Sequence, residues 1–406
     1  MRILMVNKFL HPAGGAETYF MKLGDYLSRC GHQVEYFGMD HPENCVGNQW
    51  GLYTSPVDFH HSSLLARATY PFRIIYSAEA RHKFAAVLNA FRPDVVHINN
   101  FNFQLTPSIL VAVKVYRRNV NPAVRVIYTA HDSQLVCPSH LMYRVQQKQV
   151  CEACLGGHYV QCIRGKCIHN SALRSCLGAL EAFYWNRRGI YETLDVIICP
   201  SSFLKQKLDT NPILAAKTCV LRNFVAKSTI SDSNSQGYIL YFGRFSEEKG
   251  IRTLLEVCRQ LPQIPFVFAG GGPLEHLIGG IPNVRNVGFL QGRPLEALIR
   301  GARFCVCPSE CNDNCPFSVM ESLMQGTPVL GAVRGGIPEL IADGRTGWLF
   351  PAGDRRALQA AIERIWQSSE PEAFRPACRA VKFDSLEEYA QKLLQLYGQE
   401  GCASNV

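Results

Sequence analysis

The chain has 406 residues, 47% of them hydrophobic and 18% charged, which is typical of a globular protein and argues against a disordered one. This length suits two domains better than one core. The formal charge of +9 favours anionic partners, but the basic residues form no long run, so we expect no nucleic-acid partner. No apolar run reaches the ~20 residues of a membrane span. Residues 1–6 are too short for a signal-peptide core, so we expect a cytoplasmic protein with reduced cysteines.

Apolar, strand-like runs alternate with helix-length segments in both halves of the chain, which predicts parallel sheets with helices on both faces. The candidate strands lie at residues 3–6, 34–37, 95–98, 126–129, 196–199, 238–242, 266–269, 304–307 and 329–332. The polar stretch 226–237 is typical of a linker. The sequence therefore predicts the α/β class with two Rossmann-like domains, 1–225 and 226–384, and a C-terminal helix, 385–400, that packs back on the first.

Two cations follow the predicted strand at 238–242, which ends at Gly243. Arg244 and Lys249 then lie in a strand-to-helix loop, where open α/β folds bind ligands. Such a pair suits a diphosphate because each cation meets a separate charged oxygen. The glycines Gly270–Gly272, after the next strand, permit backbone N–H groups to approach a phosphate. Taken alone, solvated surface charges and an ordinary glycine turn explain these features equally well.

A second constellation follows the predicted strand at 304–307. Asp313 and Glu321 bracket seven residues, and Pro316 suits the start of a helix. The N–H groups of Phe317 and Ser318 then form an anion site, with Glu321 one turn deeper, where it can accept hydrogen bonds from a ribose. In a lone helix, a simple cap followed by a solvated glutamate is the preferred interpretation.

The order of the motifs resembles that of the retaining glycosyltransferases of family four over nearly the whole chain. The shared motifs are Gly14-Gly-Ala-Glu17, residues 92–97 and 200–205, Gly243-Arg244 with Lys249-Gly250, residues 269–273, 314–321 and 335–339, and the turn 343–349. The resemblance implies the GT-B fold, in which two Rossmann-like domains face each other across an interdomain cleft. It also implies metal-independent, retaining transfer of a hexose from a nucleoside diphosphate sugar to a glycan or lipid-linked hydroxyl during surface polysaccharide synthesis.

The resemblance implies roles for individual residues. The donor-binding residues are Gly14, Gly15, Gly243, Arg244, Lys249, Gly271, Phe289, Leu290, Asn314, Cys315, Pro316, Phe317, Ser318 and Glu321. The catalytic residues are His131, Asp313, Arg244 and Lys249. Asp313 departs from the family, which usually has glutamate there. Two alternatives therefore stay open: a catalytically impaired nucleotide-sugar-binding or scaffold protein, and a GT-B nucleotide-sugar epimerase.

An insertion at 137–170 is rich in cysteine. Cys151, Cys154, Cys162 and Cys167 have paired spacings that suit a structural zinc ion, and Cys137 can replace any one of them. Ordinary thiols and disulfides are the alternatives. Residues 60–75 mix apolar and basic side chains, so they either pack on the first domain or rest on a membrane surface. The second interpretation predicts a protein peripheral to the cytoplasmic face of the membrane.

Overall fold

The computed structural model describes residues 1–56, 73–226 and 236–398. These residues form two compact units. The first contains the described parts of Met1–Arg144 and Cys151–Leu221, together with helix Leu386–Gly398. The second contains Val145–Val150 and the described part of Arg222–Ser385. Most of the predicted linker and of the segment 60–75 lies outside the described residues.

The first unit is built on six parallel strands. Their bounds are β1 Arg2–Val6, β2 Gln33–Phe37, β3 Val95–Ile98, β4 Arg125–Thr129, β7 Val196–Cys199 and β8 Thr218–Val220. They lie in the order β2-β1-β3-β4-β7-β8, and the central strands are apolar and buried, as expected where helices cover both faces. Two short strands, β5 Tyr143–Arg144 and β6 Gln149–Val150, follow β4 in the chain.

Helices connect the strands of the first unit. Their bounds are Gly15–Arg29, Ala78–Phe91, Ser108–Asn119, Val160–Arg164, Ala172–Arg187, Ser202–Leu208, Pro212–Ala215 and Leu386–Gly398. Helix Ala78–Phe91 illustrates how local sequence sets the start and the end of a helix. The Ser77 hydroxyl caps its start by accepting the Ala80 N–H, and the helix ends at Arg92, which has left-handed φ and precedes a proline.

The second unit contains a second parallel sheet. Its strands are β9 Ile239–Arg244, β10 Phe266–Gly271, β11 Val284–Asn286, β12 Phe304–Cys307, β13 Val329–Val333 and β14 Gly347–Pro351, in the order β11-β10-β9-β12-β13-β14. Its helices are Ile251–Gln260, Gly292–Gly301, Phe317–Met324, Arg355–Gln367 and Glu370–Arg379. Since the chain moves from β9 first to one side and then to the other, the strand order reverses between β9 and β12. Two parallel α/β units confirm the predicted fold class.

No helix within 1–56, 73–226 and 236–398 combines the length and apolar character needed to cross a membrane.

Candidate functional site

An ion pair and backbone hydrogen bonds join the loop after β9 to the loop after β12, at the point where the strand order reverses. The Lys249 ammonium forms an ion pair with the Asp313 carboxylate. The Glu248 carbonyl accepts the backbone N–H groups of Glu310 and Cys311 at 3.0 and 3.1 Å. Ligands of open α/β sheets bind at such a switch point. The structure thus brings Lys249 and Asp313, two of the predicted catalytic residues, into one site.

Asp313 is held by both of its carboxylate oxygens. One pairs with Lys249, and the other accepts the Ser309 hydroxyl at 2.5 Å. Burial by itself lowers the pKa of Lys249, but the charge and hydrogen bond of Asp313, together with the nearby Cys311 and Tyr241, outweigh burial, and the pKa is raised well above its usual value. Lys249 therefore stays charged, and any ligand that Asp313 contacts must compete with these two bonds.

Two glycines, one after β9 and one after β13, permit close backbone approach to the loop after β12. Gly250 has a φ of +72°, and a Cβ there would lie 2.1 Å from the Pro308 carbonyl oxygen. Gly335 has a φ of +58°, and its Cβ would lie 2.2 Å from the Asp313 carbonyl oxygen. Both positions exclude any other residue without a shift of backbone.

Arg244 differs from Lys249 in its surroundings. It lies at the end of β9, where its carbonyl oxygen accepts the Tyr241 hydroxyl at 2.8 Å. Its side chain is exposed, and no ion pair joins it to another residue within the described ranges. Arg244 thus supplies a cation at the carboxyl edge of the sheet, next to the paired Lys249.

The helix Phe317–Met324 presents its N-terminus in the same loop region. It starts directly after Pro316, and its first backbone bond runs from the Val319 N–H to the Pro316 carbonyl at 3.1 Å. The N–H groups of its first two residues precede that bond, so they are suited to an anion. Glu321 lies one helical turn further on, on the face of Phe317, as predicted from the spacing.

The glycine turn after β10 lies against the segment that contains Phe289 and Leu290. The Gly270 N–H donates to the Gly288 carbonyl at 2.8 Å, which places this segment beside Gly271. Phe289 is 71% exposed, which is unusual for so large an apolar side chain. An exposed aromatic ring at a loop edge is suited to stacking on a planar ring.

In the first unit, His131 follows β4 and is held by a side chain that follows β3. Its Nε2 lies 2.8 Å from the Asn99 Oδ1. Burial lowers the pKa of His131 to about 4, so the imidazole is neutral near pH 7. The Tyr19 ring meets His131 edge-on at 5.1 Å. Tyr19 belongs to the helix that begins at Gly15, so the predicted Gly14–Gly15 turn and His131 share one edge of this sheet.

A buried polar network behind His131 was not predicted from the sequence. The His97 ring bonds the Thr129 hydroxyl at 2.8 Å and the Tyr397 hydroxyl at 2.7 Å. Burial, followed by the neighbouring His131, lowers the pKa of His97 to about 3. The Tyr19 hydroxyl lies 2.6 Å from the Tyr389 hydroxyl. Helix Leu386–Gly398 therefore helps to position the surroundings of His131.

Lys148 is a second residue that sequence reasoning missed. Its Nζ lies 3.9 Å from a Glu247 carboxylate oxygen and 4.0 Å from a Glu310 oxygen, within the second unit. Glu310 is buried and accepts the Thr253 hydroxyl at 2.5 Å. These contacts indicate a structural role for Glu310, which stabilises the loop after β12. An isolated lysine in a polar loop carries no pattern that would have revealed this contact.

The cysteines of the insertion cluster around Cys154. Cys154 and Cys162 are buried with Tyr159 in a small apolar cluster, and Cys167 packs against it. The Cys154 sulfur has the thiols of Cys137, Cys151, Cys162 and Cys167 as its neighbours, and it accepts a backbone hydrogen bond from Cys162. The Cys162 and Cys167 thiols, both free, also share a hydrogen bond.

The backbone of the insertion is unusually constrained. Of the nine non-glycine residues with positive φ among those described, six lie here: His140, Met142, Lys148, Lys166, His169 and Asn170. Such conformations persist where surrounding contacts fix them. Cys305 and Cys307 of β12, and Cys311 and Cys315 after it, are buried as well.

One group of metal-type ligands does lie close together. Within the described ranges, the ligand atoms of His11, His41 and Glu43 all lie within 4.8 Å of one another. No three cysteine sulfurs of the described residues lie as close together. The two imidazoles, however, are stacked, with centroids 4.3 Å apart and planes at 27°. Because imidazole lone pairs lie in the ring plane, nearly parallel rings cannot both direct one at an ion about 2.1 Å away. This group is better described as a stacked pair beside a carboxylate.

Comparisons with known proteins agree with this geometry. Residues 13–228 match the model of Glycosyltransferase Family 4, and residues 236–368 match that of Glycosyl transferases group 1. The amylovoran biosynthesis glycosyltransferase AmsK of Erwinia amylovora is 32% identical over 145 residues, which are 32% of this chain and 36% of that protein. The sulfoquinovosyl transferase SQD2 of Arabidopsis thaliana is 37% identical over 123 residues, 29% of this chain and 24% of that protein. The chain thus spans about a quarter to a third of the length of these relatives.

Solved structures resemble the whole chain. Sucrose-phosphate synthase from Thermosynechococcus elongatus superposes with a TM-score of 0.67 at 20% identity, covering 98% of both chains. Anabaena Alr3699/HepE in complex with UDP superposes with a TM-score of 0.66 at 15% identity, covering 98% of this chain and 100% of that one. These likenesses show the GT-B fold. Since the family model covers more than half of the 406 residues, the chain belongs to glycosyltransferase family 4.

Proposed function

We propose that the chain transfers a hexose, with retention of configuration, from a nucleoside diphosphate sugar to a hydroxyl of a glycan or lipid-linked acceptor. The observation that carries this proposal is the pairing of Lys249 with Asp313 at the switch point of the second sheet, beside Arg244 and a helix N-terminus. Membership of family 4 supports it, as do the role of AmsK in amylovoran biosynthesis and the complex of HepE with UDP.

The leaving diphosphate requires charge stabilisation as the glycosidic bond breaks. Arg244, Lys249 and the N–H groups of Phe317 and Ser318 supply it from this chain's own groups, so we propose that transfer needs no metal. Glu321 binds the ribose, Phe289 stacks near the base, and Leu290 and Gly271 line the same edge. We also assign Gly14 and Gly15, in the first unit, to donor binding.

Asp313 and His131 are assigned to the transferred sugar. Asp313 gives up its bond to Ser309 or Lys249 and accepts a sugar hydroxyl instead. His131, neutral near pH 7 because burial lowers its pKa to about 4, acts as a hydrogen-bond partner and not as a cation. Because a pKa of about 4 makes His131 a weak base, the leaving phosphate is the group that takes the acceptor proton.

Hydrolysis of the donor in the absence of an acceptor tests this proposal. We expect one nucleoside diphosphate sugar of a panel to be consumed slowly, and proton NMR should first show the released sugar in the donor's own anomeric configuration. Appearance of the opposite anomer would contradict retention. If no donor is consumed, Asp313→Glu distinguishes the impaired scaffold, because an enzyme weakened by the shorter side chain should gain activity and a scaffold should not. An epimerase would instead return an altered sugar.

We further propose a structural zinc ion in the insertion, bound by Cys151, Cys154, Cys162 and Cys167, with Cys137 as a possible substitute for one of them. The thiols of Cys137, Cys151, Cys162 and Cys167 all lie near the Cys154 thiol, which supports a site built from this cluster. Zinc–sulfur bonds are about 2.3 Å long, so binding draws the sulfurs together.

We also propose that the protein is cytoplasmic and associates peripherally with the cytoplasmic face of the membrane, where a lipid-linked acceptor lies. The excess of basic residues, +9 in all, supports attraction to an anionic surface.

A further inference from the structure

Helix Ala172–Arg187 turns its large apolar side chains to solvent. Leu173, Leu180 and Phe183 are 72%, 49% and 57% exposed. Its buried face consists of small residues and one tryptophan, namely Ser175, Gly178, Ala179, Ala182 and Trp185. This distribution is the reverse of that expected for a surface helix of a soluble domain, which buries its large apolar residues. We call it the outward-facing helix.

The exposed residues form one stripe. Leu173 and Leu180 are seven residues apart and Phe183 follows three later, so the three lie on the same side of the helix. Leu177, which is partly exposed, lies between them. Three of the ten exposed large hydrophobic residues within the described ranges therefore belong to this helix. Contiguous exposed apolar surface marks an interaction site more often than scattered residues do.

Basic residues accompany the stripe. Between Val160 and Arg188 the chain has five lysines and arginines but a single acidic residue, Glu181. Arg174, Arg187 and Arg188 are exposed, and none of the ion pairs formed within the described ranges includes them. The Arg188 guanidinium lies over the Tyr184 ring at 4.5 Å. An apolar stripe flanked by arginines and a tyrosine complements an anionic lipid surface.

We infer that the outward-facing helix docks the protein on an anionic lipid bilayer. The helix has 16 residues, with arginines at both ends, so it lies in the plane of the interface and does not cross the membrane. Leu173, Leu180 and Phe183 enter the acyl boundary, and Arg174, Arg187 and Arg188 meet the headgroups. The inference goes beyond the proposed transfer reaction and does not depend on which sugar is transferred.

Vesicle flotation of the full chain tests the inference without any substrate. We expect binding to vesicles that contain phosphatidylglycerol and little binding to vesicles of phosphatidylcholine alone. Leu180→Ser with Phe183→Ser should lower the partition coefficient about tenfold or more, because each change removes apolar surface from the interface. The matched control is Val115→Ser, because Val115 is 53% exposed on helix Ser108–Asn119, outside the proposed docking surface. This change should leave the partition coefficient unaltered.

A tryptophan at position 180 identifies what covers the helix. With Leu180→Trp, we expect vesicles to shift the emission to the blue and brominated lipid to quench it. Emission that is already blue-shifted without vesicles would mean that residues 57–72 or a second copy covers the stripe, and this would overturn the inference. Wild-type protein that ignores anionic vesicles, or serine variants that bind as well as the wild type, would overturn it too.

Discussion

Lys249 and Asp313 form an ion pair that joins the loop after β9 to the loop after β12, although 64 residues separate them in the chain. The Ser309 hydroxyl holds the other oxygen of the same carboxylate. The cation expected to meet the donor diphosphate thus already has an anionic partner. Donor binding must exchange this internal pair for contacts with phosphate and sugar.

Asp313→Asn should separate binding from chemistry. The amide keeps the size of the side chain but removes the negative charge that pairs with Lys249, so we expect nucleoside diphosphate affinity to be kept or to rise a few-fold. Turnover should fall by roughly tenfold or more, a barrier increase of ~1.4 kcal/mol, because the sugar contact weakens. Calorimetric titration and donor hydrolysis measure the two effects. Glu256→Gln, at an exposed site of the same unit, is the control. Equal losses of affinity and turnover would contradict this role.

Gly250→Ala should destabilise the second unit more than Gly344→Ala does. Both glycines have φ near +70°, at +72° and +71°, so alanine is strained at each. At Gly250 the new Cβ also overlaps the Pro308 carbonyl, whereas at Gly344 nothing lies within 4 Å. We expect the extra loss of unfolding free energy to be about 2 kcal/mol, measured by urea denaturation. Equal losses would mean that the loops after β9 and β12 separate easily.

Stability should fall as the pH is lowered from 7 towards 4. Burial lowers the pKa of His131 to about 4 and, with His131 nearby, that of His97 to about 3, both below the usual value of 6.5. The unfolded chain therefore binds more protons than the folded one between about pH 4 and 6.5. Stability is fully present above 6.5 and is lost as the pH falls through this window, by at most ~1.4 kcal/mol per pH unit for each histidine.

The test of this pH dependence is the thermal midpoint of variants across the same range. His131→Asn should flatten the slope, and His82→Asn, at an exposed position, should leave it unchanged. A slope that His131→Asn does not alter would show that His131 accepts a proton readily in the folded protein.

Zinc content tests the ligand set of the insertion. We expect about one zinc ion per chain by mass spectrometry of the purified protein, lost in Cys154→Ser, and a comparison of Cys162→Ser with Cys137→Ser shows which of these two thiols is a ligand. Cobalt substitution should show the absorption of a tetrahedral thiolate site, which reports on the ligands without a variant. Cys45→Ser, at an exposed site outside the insertion, is the control. Metal-free protein with reactive thiols, or a disulfide between these cysteines, would contradict the proposal.

The strands and the glycine-rich loops could be predicted from the sequence because their signals are local. Apolar runs such as the one ending at Gly243 identify buried strands, and the cations that follow lie within six residues. The pairing of Lys249 with Asp313 and of His131 with Asn99 could not be predicted, since residues 64 and 32 positions apart meet only after the sheets form.

The buried side of the outward-facing helix could not be predicted either, for a different reason. Apolar residues occur on all sides of Ala172–Arg187, so periodicity does not show which side is buried. Packing decides this, because the small residues Gly178, Ala179 and Ala182 permit close contact with the insertion. That choice is visible in the tertiary structure alone.

The most direct test of the central claim is thermal stabilisation by nucleoside diphosphates of the wild type, Arg244→Ala, Lys249→Ala and the exposed control Arg259→Ala. A nucleotide present at 100 times its Kd should stabilise the wild type and the control by about 2.7 kcal/mol. We predict a shift with one base that is lost in Arg244→Ala and Lys249→Ala. A shift that survives both substitutions, or no shift with any nucleotide, would contradict the assignment of the donor diphosphate to the switch point.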